Sequence, residues 1–156
     1  MIFLKGEYMS TRATNSKLIH AFEHLEAIEK AEGDEKLALL KQYGAESPLN
    51  YLISLNFSKT LQLDLPEGMP PTKKLDDQTH PDMMHPLRTQ IQKIRNCFPD
   101  VAISKLKKEK IFIDILENVA YKEAVILVHC KDKALEEVYP SITAELVEEA
   151  FPGTTL

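Results

Sequence analysis

Residues 66–86 constrain this chain more than any other stretch, because they hold five of its nine prolines together with Gly68. Proline lacks the amide hydrogen that helix and sheet ladders both need, and it pushes the preceding residue out of the helical region. No core face can be drawn through this stretch, so the segments on either side of it must bury each other. Long loops of this kind in compact domains are usually functional or disordered.

The flanking segments carry a helical period. Over residues 16–31, Leu18, Ile19, Phe22, Leu25 and Ile28 recur at three- and four-residue steps and share a stripe, which Gly33 ends. Asp34 is a suitable N-cap for a shorter helix with Leu37, Leu40 and Tyr43, and Gly44 is its expected stop. Ser47-Pro48 pairs an N-cap residue with proline at the first helical position and opens a helix presenting Leu49, Leu52, Ile53 and Phe57. Residues 60–65 alternate polar and apolar and read as extended chain.

Beyond the loop, a helix starting at Asp82 or Pro86 places Leu87, Ile91, Ile94 and Phe98 on one face, and Pro99 closes it. Ser104 caps a helix with Leu106, Ile113 and Leu116 inward and Ile111, Phe112 and Ile115 around them, an apolar surface wide enough for a central helix buried nearly all round. Residues 121–130 form a further helix with Ala124, Leu127 and Val128 inward. A turn over 134–138 leads to Tyr139-Pro140. Thr143 then caps a last helix with Leu146, Val147 and Ala150 inward and Phe151 behind it, before Pro152-Gly153. The expectation is an all-α fold: a compact bundle of six to eight helices forming a single domain over 16–153, interrupted by the loop 66–86 and preceded by a disordered arm over 1–15.

Composition narrows the classes. A chain of 156 residues with 44% hydrophobic and 28% charged residues is ordinary for a globular domain and long enough to bury a core. No apolar run approaches the ~18 residues a membrane span needs, the best being residues 124–128. Met1-Ile2-Phe3-Leu4 is cut short by Lys5 and Glu7, so no signal peptide is expected there. Lys5-Gly6-Glu7 before Met9 matches codons that spell a purine-rich bacterial ribosome-binding sequence, so translation is expected to start at Met9, in a bacterium or a bacterial virus. Cys97 and Cys130 without a C-x-x-C suit a reducing compartment and small core positions.

Catalytic signatures are sparse. His20-Ala21-Phe22-Glu23-His24 matches H-x-x-E-H, in which two imidazoles one helical turn apart bind zinc and the glutamate acts as base. The rival reading is that His20 and His24 flank the apolar stripe and face solvent. His80 and His85 in the loop, with His129 and Cys130, fit no known metal template. P-loop, dinucleotide-binding and G-x-S-x-G patterns do not occur. His129 and Cys130 diverge by about 100° on a helix, so they cannot pair as base and nucleophile. No catalytic residue and no cofactor are expected.

Charge is segregated. The net charge is −5, which excludes bulk polyanion binding and leaves only a local patch. Four lysines, Lys105, Lys107, Lys108 and Lys110, open the Ser104-capped helix, and Lys131 and Lys133 follow. Cations at a helix start oppose its dipole, so they do not serve helix stability. The readings are a phosphate-contacting patch or an ordinary solvated face. Glu136, Glu137, Glu145, Glu148 and Glu149 make the C-terminal stretch acidic. In the loop, Met69, Lys73, Lys74, Met83 and Met84 are candidate partner contacts.

Two resemblances bear on these residues. The run Glu123-Ala124-Val125-Ile126-Leu127-Val128-His129-Cys130-Lys131-Asp132-Lys133 and the Ile142-Thr143…Leu146-Val147…Glu149-Ala150-Phe151-Pro152 element follow Leu65-Pro66-Glu67-Gly68…Pro70-Pro71 in an order that resembles a small uncharacterised protein family of T-even-like tailed phages. That resemblance covers most of the chain from Ala38 onward and implies the cytoplasm of an infected bacterial host. More distantly, Lys131-Asp132, Leu135, Ile142-Thr143, Val147 and Phe151 resemble the end of the N-terminal helical DNA-binding domain of ATP-dependent DNA ligases. The K-x-D-G nucleophile of ligases is missing here, and Glu136–Tyr139 stand where the ligase turn has glycine, so the resemblance implies a shared helical scaffold and not ligation.

The functional expectation is a non-enzymatic phage accessory protein that binds nucleic acid without sequence preference through Lys105, Lys107, Lys108, Lys110, Lys131 and Lys133. The alternative is an acidic adaptor that binds a host or phage replication or transcription complex through the loop. No membrane partner is expected.

Overall fold

The computed structural model describes residues 20–72 and 80–156. The expectations for the arm 1–15, the start at Met9, Leu18, Ile19, Lys73 and Lys74 lie outside these residues. The described chain is all-α, with seven helices, three short 3-10 segments and no strand. The helices are α1 (Ala21–Lys30), α2 (Gly33–Tyr43), α3 (Leu49–Phe57), α4 (Leu87–Gln90), α5 (Lys105–Asn118), α6 (Tyr121–Lys131) and α7 (Ala144–Ala150). The 3-10 segments are Pro81–Met83, Ile91–Cys97 and Leu135–Glu137. No described helix is long and apolar enough to cross a membrane.

The centre of the bundle is α6, which packs against α1, α3 and α5. Its Ala124, Ile126, Leu127, Val128 and Cys130 are all buried. The sequence reading gave that place to α5, and this is corrected: Leu106 is 64% exposed, Ile111 and Ile113 are half-buried, and the inward stripe is Lys108, Phe112, Ile115 and Leu116. Hydrophobic content was misread as burial, because the stripe that fits the bundle has a lysine in it.

The segment after Gln90 also departs from expectation. Ile91–Cys97 is a 3-10 helix, whose three-residue turn aligns Ile91, Ile94 and Cys97 on one edge. All three are buried and Cys97 takes the core place expected of Phe98, which is half-buried. This helix and α5 run as an antiparallel hairpin: Cys97 Sγ lies 3.5 Å from the Lys108 carbonyl, while Lys93 pairs with Asp114 at 3.5 Å two turns further along.

Local signals set most boundaries. Ser104 Oγ accepts from Lys107 N–H at 3.2 Å and Thr143 Oγ1 from Leu146 N–H at 3.2 Å, so two of the four expected N-caps are present. Asp34 and Ser47 are corrected: α2 already starts at Gly33 with Glu32 in the capping position. The helix after Ser47-Pro48 starts at Leu49, with Pro48 in the capping position. Gly44 is not a left-handed stop. Its φ is −73°, and it is glycine because α2, α3 and α7 meet there: a β-carbon would lie 2.6 Å from the Leu40 carbonyl oxygen and 2.8 Å from the Phe151 ring.

Candidate nucleic-acid interface

The six lysines expected to form one patch divide into two groups. Lys105, Lys107 and Lys110 are exposed on α5. Lys108 and Lys131 are each 2% exposed, and Lys133 is half-buried. The latter three are corrected from surface contacts to internal ones, and each has a target within residues 55–66. Lys108 Nζ donates to Asp64 Oδ2 at 3.0 Å and to the Phe98 carbonyl at 2.8 Å. Lys131 Nζ donates to the Pro66 carbonyl at 2.8 Å and to Asp132 Oδ1 at 2.5 Å. Lys133 Nζ donates to the carbonyls of Leu55, Ser58 and Leu61 at 2.7, 2.7 and 2.6 Å.

Residues 55–66 form the end of α3 and the coil after it, where little secondary structure exists to satisfy the backbone. Buried carbonyls need donors, and a lysine offers three on one atom. The three ammoniums therefore strap this coil to α5 and α6. Asp132 completes the arrangement by accepting from Gly68 N–H at 2.9 Å. The Lys108 hydrogen bond, reinforced by Lys105, holds the Asp64 carboxyl below its ordinary value against the opposing pull of burial. Burial pushes the Lys133 ammonium below its ordinary value.

What remains at the surface is a basic hairpin. Residues 87–118 carry seven Lys and Arg against four Asp and Glu, net +3 in a chain of net −5. Apart from Lys108 its basic residues are all exposed: Arg88, Lys93, Arg95, Lys105, Lys107 and Lys110. The hundred-degree step of α5 puts Lys107 on the same flank as Asp114, the partner of Lys93, and so beside the 3-10 helix. Lys110 points away from the buried stripe. Arg88, Lys93 and Arg95 were missed in the sequence because they are spread along a segment read only for its apolar face. Folding the hairpin brings Lys93 to Asp114, on the flank of α5 that carries Lys107.

The histidine motif comes apart in the fold. His20 is 2% exposed and is the N-cap of α1, with Nδ1 3.3 Å from Glu123 Oε1, so the solvent-facing alternative is corrected for it. Glu23 folds back to accept from the His20 backbone N–H at 3.1 Å. His24 stacks on Tyr43 with ring centroids 4.4 Å apart. The three side chains serve three different contacts, and no group of three potential ligands able to hold a metal ion occurs among the described residues. Cys97 and Cys130 are free and buried, and burial pushes Cys97 up to about 11 and Cys130 further still, so both are thiols at neutral pH.

A buried acid was not foreseen. Glu123 is fully buried in the first turn of α6. Its Oε2 accepts from Ala21 N–H at 2.7 Å and its Oε1 from Leu87 N–H at 3.1 Å. Ala21 and Leu87 are the first residues of α1 and α4, so one carboxylate sits at three helix N-termini. Burial pushes its pKa up, opposed by the Ala21 N–H, His20 and the Leu87 N–H.

A broad cleft of about 1040 Å³ lies between residues 67–69 and α6. Met69 and Tyr121, 42% and 38% exposed, border it, Val125 and Val128 line it, and Glu67, Asp132, Glu136 and Glu137 surround them. Of the other loop methionines, Met83 is exposed and Met84 packs partly on the core.

The chain belongs to a family of unknown function (DUF6433), whose model matches residues 24–137. No curated protein and no solved structure matches it.

Proposed function

We propose that this member of a family of unknown function is a nucleic-acid-binding accessory protein whose contact surface is the basic hairpin over residues 87–118. One observation carries the reading: six exposed Lys and Arg gather on one hairpin of an otherwise acidic chain. Such a field attracts phosphates without reading bases, and the acidic remainder limits contact to that face. The finer setting we propose is a tailed phage protein acting in the cytoplasm of its bacterial host, on a helical scaffold like that of the ligase DNA-binding domain. Support for it comes from the resemblances in the order of motifs.

The test is binding of short single- and double-stranded DNA and RNA across a salt series. Binding should weaken steeply with salt, the logarithmic slope falling by about 0.7–0.9 for each phosphate contact removed. Lys107→Glu combined with Lys110→Glu should lower both affinity and slope. Lack of binding at low salt, or an unchanged slope in the double variant, would remove the hairpin from the argument.

A second reading, a protein-binding adaptor, rests on the cleft beside α6. Its apolar floor and acidic border suit a basic amphipathic segment of a partner, with Met69 and Tyr121 as anchors. Met69→Glu should then abolish capture of a purified phage or host replication protein while leaving oligonucleotide binding intact.

A further inference from the structure

We propose that the apolar cleft between α3 and the 3-10 helix Ile91–Cys97 receives an unpaired base, so that the protein prefers single strands to duplex. The proposal rests on the reading of the hairpin as a phosphate surface and adds the feature that would make that surface selective.

The cleft measures about 440 Å³, within the roughly 300–1,000 Å³ of small-molecule pockets. Its walls include Tyr51, Leu61, Ile94 and Phe98. Tyr51 and Leu61 are each 37% exposed. Asn50 and Ser54, one helical turn apart on α3, supply polar groups at its edge. No carboxylate lines it, in contrast to the cleft beside α6, which has four.

The link to the hairpin is Arg95, which lines the cleft and is exposed. In a 3-10 helix Arg95 and Phe98 share an edge, while Lys93 stands on the next one. A strand whose phosphates cross Lys93 and Lys107 therefore reaches Arg95 at the cleft, where an aromatic wall waits for the attached base. A cationic track with aromatic platforms beside it is how sequence-tolerant single-strand binders work, since every base has a face to stack. A duplex keeps its bases paired and can use only the track.

The experiment compares the full chain with Tyr51→Ala and Tyr51→Phe, using a short single strand that carries the fluorescent base 2-aminopurine and a duplex of equal length. Circular dichroism checks that each variant is folded. Wild type should bind the single strand more tightly and quench 2-aminopurine. Tyr51→Ala should weaken single-strand binding by roughly 5- to 150-fold, the worth of one base–aromatic stack, and leave the duplex unchanged. Tyr51→Phe should keep the quenching and the affinity. Equal binding of both substrates with a silent Tyr51→Ala would overturn the base cleft and spare the phosphate surface. A parallel loss on single strand and duplex would also overturn it, and absence of all binding by wild type would end both readings.

Discussion

Two buried charge clusters hold this fold together, and they solve opposite problems. At Glu123, one carboxylate accepts from the first N–H groups of two helices. Along residues 55–66, the Lys131 and Lys133 ammoniums donate to carbonyls of a coil that has no ladder of its own, and Lys108 donates to the coil's Asp64 carboxylate and to the Phe98 carbonyl beside it. Helix starts leave donors over and irregular chain leaves acceptors over. The sign of the buried charge follows from which is in surplus. A buried charge is thus a statement about nearby backbone before it is a statement about ligands.

The sharpest way to break this comparison is to remove Glu123. Glu123→Ala strands two buried N–H groups and leaves His20 facing a gap. We expect a loss of about 3–5 kcal/mol in urea unfolding, with early hydrogen exchange in α1. A loss under 1 kcal/mol would mean that water replaces the carboxylate. Next in size come Lys108→Met and Lys131→Met, which retain the buried stem but lose the ammonium. Each should cost about 1–3 kcal/mol, since a carbonyl loses its partner while the aspartate can turn to solvent. The coil, not the helices, should then become protease-sensitive.

Acid distinguishes the two clusters by sign. Asp64 has a folded pKa below its ordinary 3.8, so its contribution is present above that value and is lost as pH falls through the folded one. Glu123 has a folded pKa above its ordinary 4.5, so ionising it works against the fold as pH rises through that range. Relative to wild type, Asp64→Asn should therefore gain as pH falls from 7 to below 4, and Glu123→Gln should lose. Thermal melts across the series would check this, and parallel curves would refute it. The smallest effect belongs to Lys107→Met and Lys110→Met, which touch neither cluster and should change stability by about 0.5 kcal/mol or less. A larger change would place these two lysines in the fold as well.

The fold was largely legible in the sequence because caps and period are local signals. Ser104, Thr143 and the stripes of α1, α3 and α6 needed only their neighbours. The switch to 3-10 geometry after Gln90 was not legible, because Leu87, Ile91 and Ile94 suit either helix and only packing against α5 selects Cys97 over Phe98. Half of the lysine patch was misplaced for a related reason. Lys105, Lys107 and Lys108 look alike in composition, and what sets Lys108 apart is its place on the buried stripe of α5, from which it reaches the Phe98 carbonyl and Asp64, the latter more than forty residues away in the chain. Glu123 had no signal either, since its partners are backbone groups brought in from α1 and α4.

Lys133 carries a consequence for how the sequence can drift. Its φ of 58° is a left-handed conformation that glycine adopts freely and lysine does not. A change to glycine would ease the backbone by about 1 kcal/mol while removing the donor for three carbonyls. Position 133 is therefore tied to the course of residues 55–61. Relatives that have glycine there should show a shorter or differently folded segment after α3, and the two changes should be inherited together.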